Sequence, residues 1–207
     1  MPFTNGLNPM RIVGGGYRGR PIHAPKGQAT RPTTDRTREA LFNVLAHGRW
    51  PDVATDLAGA RVIDLYAGSG ALGLEALSRG AGFCLFVETD AGARAVIRDN
   101  IEALNLFGQT RIHRRSAAAL GKIPASAGGP FTLAFLDPPY GKGLAEPTIR
   151  SLISGQWLAC GALIVLEQAR TDPLPAVEGL TTLDDRAYGD TRLLFFGLGS
   201  FGLPPAP

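Results

Sequence analysis

Cysteine is scarce in this 207-residue chain, Cys84 and Cys160 being the only two. Neither belongs to a metal-ligand spacing. Both are therefore expected to pack as small apolar residues in a reducing cytosol, and no metal is expected. Histidine is almost as rare, and His23, His47 and His113 all fall outside the motifs described below. No apolar run approaches the roughly 18–20 residues that a membrane-spanning helix needs, so no membrane association is expected. The first ten residues lack both the basic and the apolar stretch of a signal peptide, and Met10 is itself a candidate start. No internal repeat is present. What remains, 44% hydrophobic and 19% charged, fits one soluble domain with a sizeable core and room for a small appendage.

Acidic residues are nearly missing from the first 50 positions, where eight basic residues face only Asp35 and Glu39. The basic ones are Arg11, Arg18, Arg20, Lys26, Arg31, Arg36, Arg38 and Arg49. The other positions hold thirteen basic and sixteen acidic residues, so the net charge of +3 hides a basic arm on a mildly acidic body. That asymmetry suits an anionic partner engaged from one side, and equally a solvated basic loop.

Residues 1–9 read as a disordered leader and residues 10–50 as a basic extension. Within it, Ile12, Val13 and Tyr17 surround Gly14, Gly15 and Gly16. This pattern reads as a β-hairpin or small extended module with arginines at its turns, or else as a flexible linker. Thr33 and Thr34 offer N-cap oxygens for a helix to about Ala46, striped by Ala40, Leu41, Val44 and Leu45. Beyond a linker at 48–59, strands are expected at 62–66, 83–88, 111–113, 131–136 and 162–166. Helices are expected between them at 71–79, 90–104, 116–120 and 144–153. The segments 181–188 and 191–198 then flank Gly189 and Asp190 as an antiparallel pair. This alternation over residues 51–199 predicts an α/β fold with a mostly parallel sheet and ligands at the carboxyl ends of its strands. Residues 200–207 read as a flexible tail.

The stretch Val62–Gly73 is strand, tight turn and helix, with Gly68, Gly70 and Gly73 at the spacing of a dinucleotide fingerprint and Glu88 twenty positions beyond Gly68. Backbone N–H groups and a positive helix end meet a ligand there, which suits either a nicotinamide cofactor or S-adenosylmethionine. Asp137-Pro138-Pro139-Tyr140 follows the fourth strand and so shares that sheet edge. Two prolines hold the chain extended and leave carbonyls available, Asp137 adds a carboxylate, and Tyr140 adds an aromatic face. Together they suit a planar base with an exocyclic amine. A rigid loop exit whose Asp caps the next helix is the blander alternative.

The order Asp64, Gly68-Ser69-Gly70, Glu88 and Asp137-Pro138-Pro139-Tyr140 resembles the Rossmann-like S-adenosylmethionine-dependent methyltransferases that modify exocyclic amines of nucleobases. More narrowly, Arg31-Pro32-Thr33-Thr34-Asp35-Arg36 and the run Tyr66-Ala67-Gly68-Ser69-Gly70-Ala71-Leu72-Gly73-Leu74-Glu75-Ala76 resemble the RsmD family of bacterial 16S rRNA guanine-N2 methyltransferases. The resemblance covers about Met10 to Leu198. It implies a Rossmann-like seven-stranded methyltransferase fold with an N-terminal β-hairpin and helix extension that binds RNA. It further implies that Asp64, Ala67, Gly68, Ser69 and Gly70 hold the methionine part of S-adenosylmethionine. Glu88 would take the ribose, with Ser116 and Ala117 near the adenine, where relatives commonly place Asp or Asn at the serine. Asp137, Pro138, Pro139 and Tyr140 would form the catalytic group, and Arg11, Arg18, Arg20, Arg31, Arg36 and Lys142 the RNA contacts. The implied substrate is one guanine of 16S rRNA in a partly assembled small subunit, and the implied enzyme a cytoplasmic monomer. A DNA adenine-N6 methyltransferase shares the Asp-Pro-Pro-Tyr logic, but this chain has no long inserted recognition domain. A nicotinamide oxidoreductase and a basic RNA-binding module with a vestigial cofactor fold are the more distant alternatives.

Overall fold

Short apolar runs bounded by glycine turns become strands, and the central ones are buried on both faces. In the computed structural model, which describes residues 10–25, 35–48, 50, 53 and 56–198, they build one seven-stranded sheet. The strands are β1 (Arg61–Leu65), β2 (Phe83–Val87), β3 (Thr110–His113), β4 (Phe131–Leu136), β5 (Leu158–Ala169), β6 (Leu180–Tyr188) and β7 (Thr191–Leu198). Their order is β3-β2-β1-β4-β5-β7-β6. The first five run parallel, and β7 inserts antiparallel between β5 and β6. Helices α1 (Asp35–His47), α2 (Ala71–Ser78) and α3 (Ala91–Leu104) cover one face, with Val62, Phe135 and Val165 beneath them. Helix α4 (Ala145–Ser154) covers the other, over Ile63, Ala134 and Ile164. Strand β5 is longer than its apolar run because Glu167 and Gln168 also pair with β7. The short helix expected near residue 118 is a single 3-10 turn, Ala117–Ala119.

The N-terminal segment is the small hairpin module expected, although its glycines are used differently. It pairs antiparallel at Arg11 and Pro21, with Ile12 N donating to Arg20 O at 3.0 Å, Ile22 N to Met10 O at 2.9 Å and Gly19 N to Ile12 O at 2.8 Å. The glycine triplet turns aside to dock on the end of α2. Gly16 N donates to Ser78 O at 2.7 Å, Tyr17 N to Ser78 Oγ at 3.0 Å, and Ser78 Oγ to Gly14 O at 2.6 Å. At Gly15, with φ +74°, an added Cβ would sit 1.9 Å from Ser78 O. These glycines serve close contact, not slack. Ile12 and Ile22 enter the same apolar cluster as β1, β2 and α2.

Burial of Arg38 fastens this segment further. Its side chain is fully enclosed; Nη2 donates to Arg11 O at 2.5 Å and Asp35 Oδ1 at 2.7 Å, while Nε lies 3.7 Å from Glu75 Oε2. Glu75, equally enclosed on α2, accepts from Val13 N at 2.8 Å and Arg79 Nε at 2.7 Å. Removing one partner of such a buried pair costs about 3–5 kcal/mol, because the other charge is left without compensation. The N-cap threonines Thr33 and Thr34 lie outside the described residues.

Candidate active site

The parallel register brings Leu166, Leu136, Leu65, Val87 and His113 side by side at the carboxyl ends of β5, β4, β1, β2 and β3. The next residues outward, Glu167, Asp137, Tyr66, Glu88 and Arg114, form a rim. Strand alternation then decides which way each points. Glu167 follows Val165, Asp137 follows Phe135, Glu88 follows Phe86 and Asp64 follows Val62, all members of the cluster under α1–α3. Four carboxylates thus share one face of the sheet beside the glycine turn.

That turn is held from three sides. Glu88 accepts from Gly68 N at 3.0 Å through Oε2 and from Asp90 N at 2.8 Å through Oε1. Asp64 Oδ2 accepts from Gly73 N at 3.0 Å. The buried Asn100 on α3 donates from Nδ2 to Ser69 O at 2.9 Å and to His23 O at 3.0 Å, and its Oδ1 accepts from His23 N at 2.7 Å. One side chain therefore ties the N-terminal segment to the turn. Gly70 reverses the chain with φ +78°, and a Cβ at Gly73 would lie 2.4 Å from the Phe86 ring. The helix can approach the strand this closely only with glycine there.

Electrostatics at this edge are one-sided. Burial, partly offset by the Gly73 N–H and reinforced by Glu88, pushes the Asp64 carboxyl up to about 8. Asp137 lies well above its ordinary range, through burial first and then the Glu167 and Asp64 carboxylates. Among the described residues no ion pair involves Asp64, Glu88 or Asp137. The same residues contain no group of three His, Cys, Asp or Glu side chains able to hold a metal. The N–H groups of Gly68 and Gly73 are taken by carboxylates, which places negative charge beside the helix end where a pyrophosphate would lie. A ligand carrying positive charge fits this edge, and the donor set matches the ammonium, sulfonium and ribose of S-adenosylmethionine.

On the β4 side, Pro138 is buried, Pro139 exposed, and Tyr140 is 39% exposed with its ring at the mouth. The Tyr140 hydroxyl donates to Glu167 Oε1 at 3.1 Å and lies 3.2 Å from Thr191 Oγ1 on β7. Burial is the chief reason its phenol is held above the ordinary value. Lys142 is exposed on the following loop. On the β3 side, Ser116 is exposed and opens the 3-10 turn with no side-chain capping bond, while Ala117 is buried.

The basic set is more dispersed. Arg18 and Arg36 are exposed. Arg11 pairs with Asp35 at 3.3 Å, and Arg20 donates to Ala103 O at 2.8 Å at the end of α3, although both remain exposed. Arg31 lies outside the described residues. Sequence reasoning missed Glu167, Asn100 and Arg38. The signal for Glu167 was an acid one step past a buried strand, as at Glu88 and Asp137. For Asn100 and Arg38 it was a polar residue at a core position of an apolar helical stripe.

A family model described as Conserved hypothetical protein 95 matches residues 10–197. The ribosomal RNA small subunit methyltransferase D of Escherichia coli is 40% identical over 176 residues, which is 85% of this chain and 83% of that protein. The protein of the same name from Haemophilus influenzae is 33% identical over 186 residues, covering 89% and 92%. Among solved structures, yhhF from Escherichia coli superposes with a TM-score of 0.77 at 34% identity, covering 93% of this chain and 99% of that one. TrmN from Thermus thermophilus shares the fold at 20% identity, with a TM-score of 0.62 over 78% of this chain and 48% of its own.

Proposed function

The chain belongs to the RsmD family, and from that premise we propose that it methylates ribosomal RNA with S-adenosylmethionine, at the N2 amine of one guanine of 16S rRNA. The relatives' names support rRNA as substrate. The observation that carries the cofactor reading is the carboxylate-occupied glycine turn, which favours a cationic ligand over a dinucleotide. A monomer working in the cytoplasm on a partly assembled small subunit completes the reading.

Asp64 and the turn Ala67, Gly68, Ser69 and Gly70 would hold the amino-acid end of the cofactor, Glu88 its ribose, and Ser116 and Ala117 its adenine. When bound, the cofactor supplies an electrophilic methyl group. The guanine amine is a weak nucleophile because its lone pair is delocalised into the ring. Asp137 and the Pro138 carbonyl would accept its N–H bonds, orient the nitrogen and stabilise the positive charge that develops there. Tyr140 would stack on the base. The nitrogen gains the methyl group and then loses a proton, to Asp137 or water. No covalent enzyme intermediate is needed, and the buried Cys84 and the exposed Cys160 lie away from the rim.

Asp137→Ala should abolish methyl transfer to small-subunit rRNA while changing S-adenosylhomocysteine affinity by less than about threefold, because the loss is felt mainly in the transition state. An active Asp137→Ala enzyme would remove Asp137 from the chemistry.

A further inference from the structure

Beyond the Asp-Pro-Pro-Tyr group stands a second carboxylate that no motif contains. Glu167 is 4% exposed at the carboxyl end of β5. It lies one position past the pair Leu136 and Leu166, so Asp137 and Glu167 are cross-strand neighbours on the same face. Its Oε1 accepts from the Tyr140 hydroxyl at 3.1 Å. With its proton on Glu167, Tyr140 accepts from Thr191 Oγ1 at 3.2 Å. Three elements thus converge on one phenol: the loop after β4, strand β5 and strand β7.

We propose that Glu167 is a positioning residue for the acceptor base, acting through the Tyr140 hydroxyl to fix the aromatic ring as one wall of the base pocket beside Asp137. The inference rests on the methyl-transfer reading above and deepens it. A tyrosine at 39% exposure, on a loop between Gly141 with φ +68° and two prolines, has little other packing to choose its rotamer. The hydroxyl supplies that choice. Its partner is a carboxyl group buried at the end of β5, so the bond is shielded from competing water. A ring held in advance spares the base the entropy of ordering it, which is how preorganisation strengthens binding and transfer together. Proximity to Asp137 makes the same carboxylate part of the field in which the amine reacts.

A double-mutant cycle decides the matter. Glu167→Ala and Tyr140→Phe are each expected to lower kcat/KM for the RNA by about ten- to a hundredfold, the range for losing one buried hydrogen bond. S-adenosylhomocysteine affinity should be unchanged in both. The double variant should be no worse than the poorer single one, because both remove the same bond. Glu167→Gln, which keeps an acceptor oxygen at that place, should recover much of the loss, and a merely structural role for the residue would not show that rescue in kcat/KM. In the free protein, the Tyr140 ring resonances of a tyrosine-labelled sample should shift in Glu167→Ala and stay near wild type in Glu167→Gln. Full activity of Tyr140→Phe, additive losses, or unmoved Tyr140 resonances would each overturn the proposal. A wild-type protein that transfers no methyl group to RNA would instead overturn the function reading, while the resonance comparison would still judge the Glu167–Tyr140 contact.

Discussion

Asp64 illustrates how a single buried group links the pocket to pH. Its carboxyl is raised to about 8, chiefly by burial, so in the free protein the protonated form predominates at neutral pH. The unfolded chain holds the same group near the ordinary carboxyl value of 3.8. Its contribution to folding is therefore most favourable below that value and is lost progressively as pH climbs towards about 8. A cationic ligand reverses the preference by favouring the carboxylate. Binding of S-adenosylmethionine, which carries both an ammonium and a sulfonium, should thus release protons near pH 7, and its affinity should rise with pH until about 8. Calorimetry in buffers of different ionisation enthalpy measures the release directly. Asp64→Asn should remove most of it; a wild-type protein that releases no proton would contradict the assignment. Asp64 was legible as a lone carboxylate in the apolar strand before the glycine turn, Glu88 by its spacing of twenty from Gly68, and Asp137 by the prolines that follow it. Glu167 was not, because the apolar run of β5 ends at Leu166 and only the pairing with β7 carries the strand onward.

At the scale of elements, the strand-turn-helix at β1 and α2 and the alternation that follows it are local patterns, and they read correctly. The N-terminal segment is different, because its conformation depends on residues about 60 to 80 positions away. Ser78 captures the glycine triplet, Glu75 captures Val13 and Arg38, and Asn100 captures His23. No spacing rule announces such partners. The Asn100 link carries a consequence for function, since one carboxamide holds both the N-terminal segment and Ser69 of the glycine turn. Asn100→Ala strands several buried backbone groups and should cost about 1–3 kcal/mol of stability. It should also weaken S-adenosylhomocysteine binding and raise amide exchange at residues 22 and 23. Linkage requires that the ligand then protect those amides less than it does in the wild type. Unaltered exchange and affinity in Asn100→Ala would show that the two elements are energetically independent.

Seen whole, the molecule places its chemistry along one edge of a single sheet and its basic extension on the helix-covered face that the four carboxylates share. Ile12 and Ile22 lie in the same core cluster as β1 and α2, so the extension and the glycine turn are parts of one packed body. Fold class and the terminal antiparallel pair were legible from alternation and from the family motifs together, whereas the strand order emerges only in the structure. The electrostatic character of the site was not, because it arises from four strands meeting. The central claim is that this edge delivers a methyl group to a guanine amine. Its most direct test is labelled transfer from S-adenosylmethionine to small-subunit rRNA particles, followed by nucleoside analysis. A parallel substrate carries inosine, which keeps the ring but lacks the N2 amine, at the modified position. The account predicts all label in N2-methylguanosine and none in the inosine substrate. Label in any other nucleoside, or continued methylation of the inosine, would contradict it.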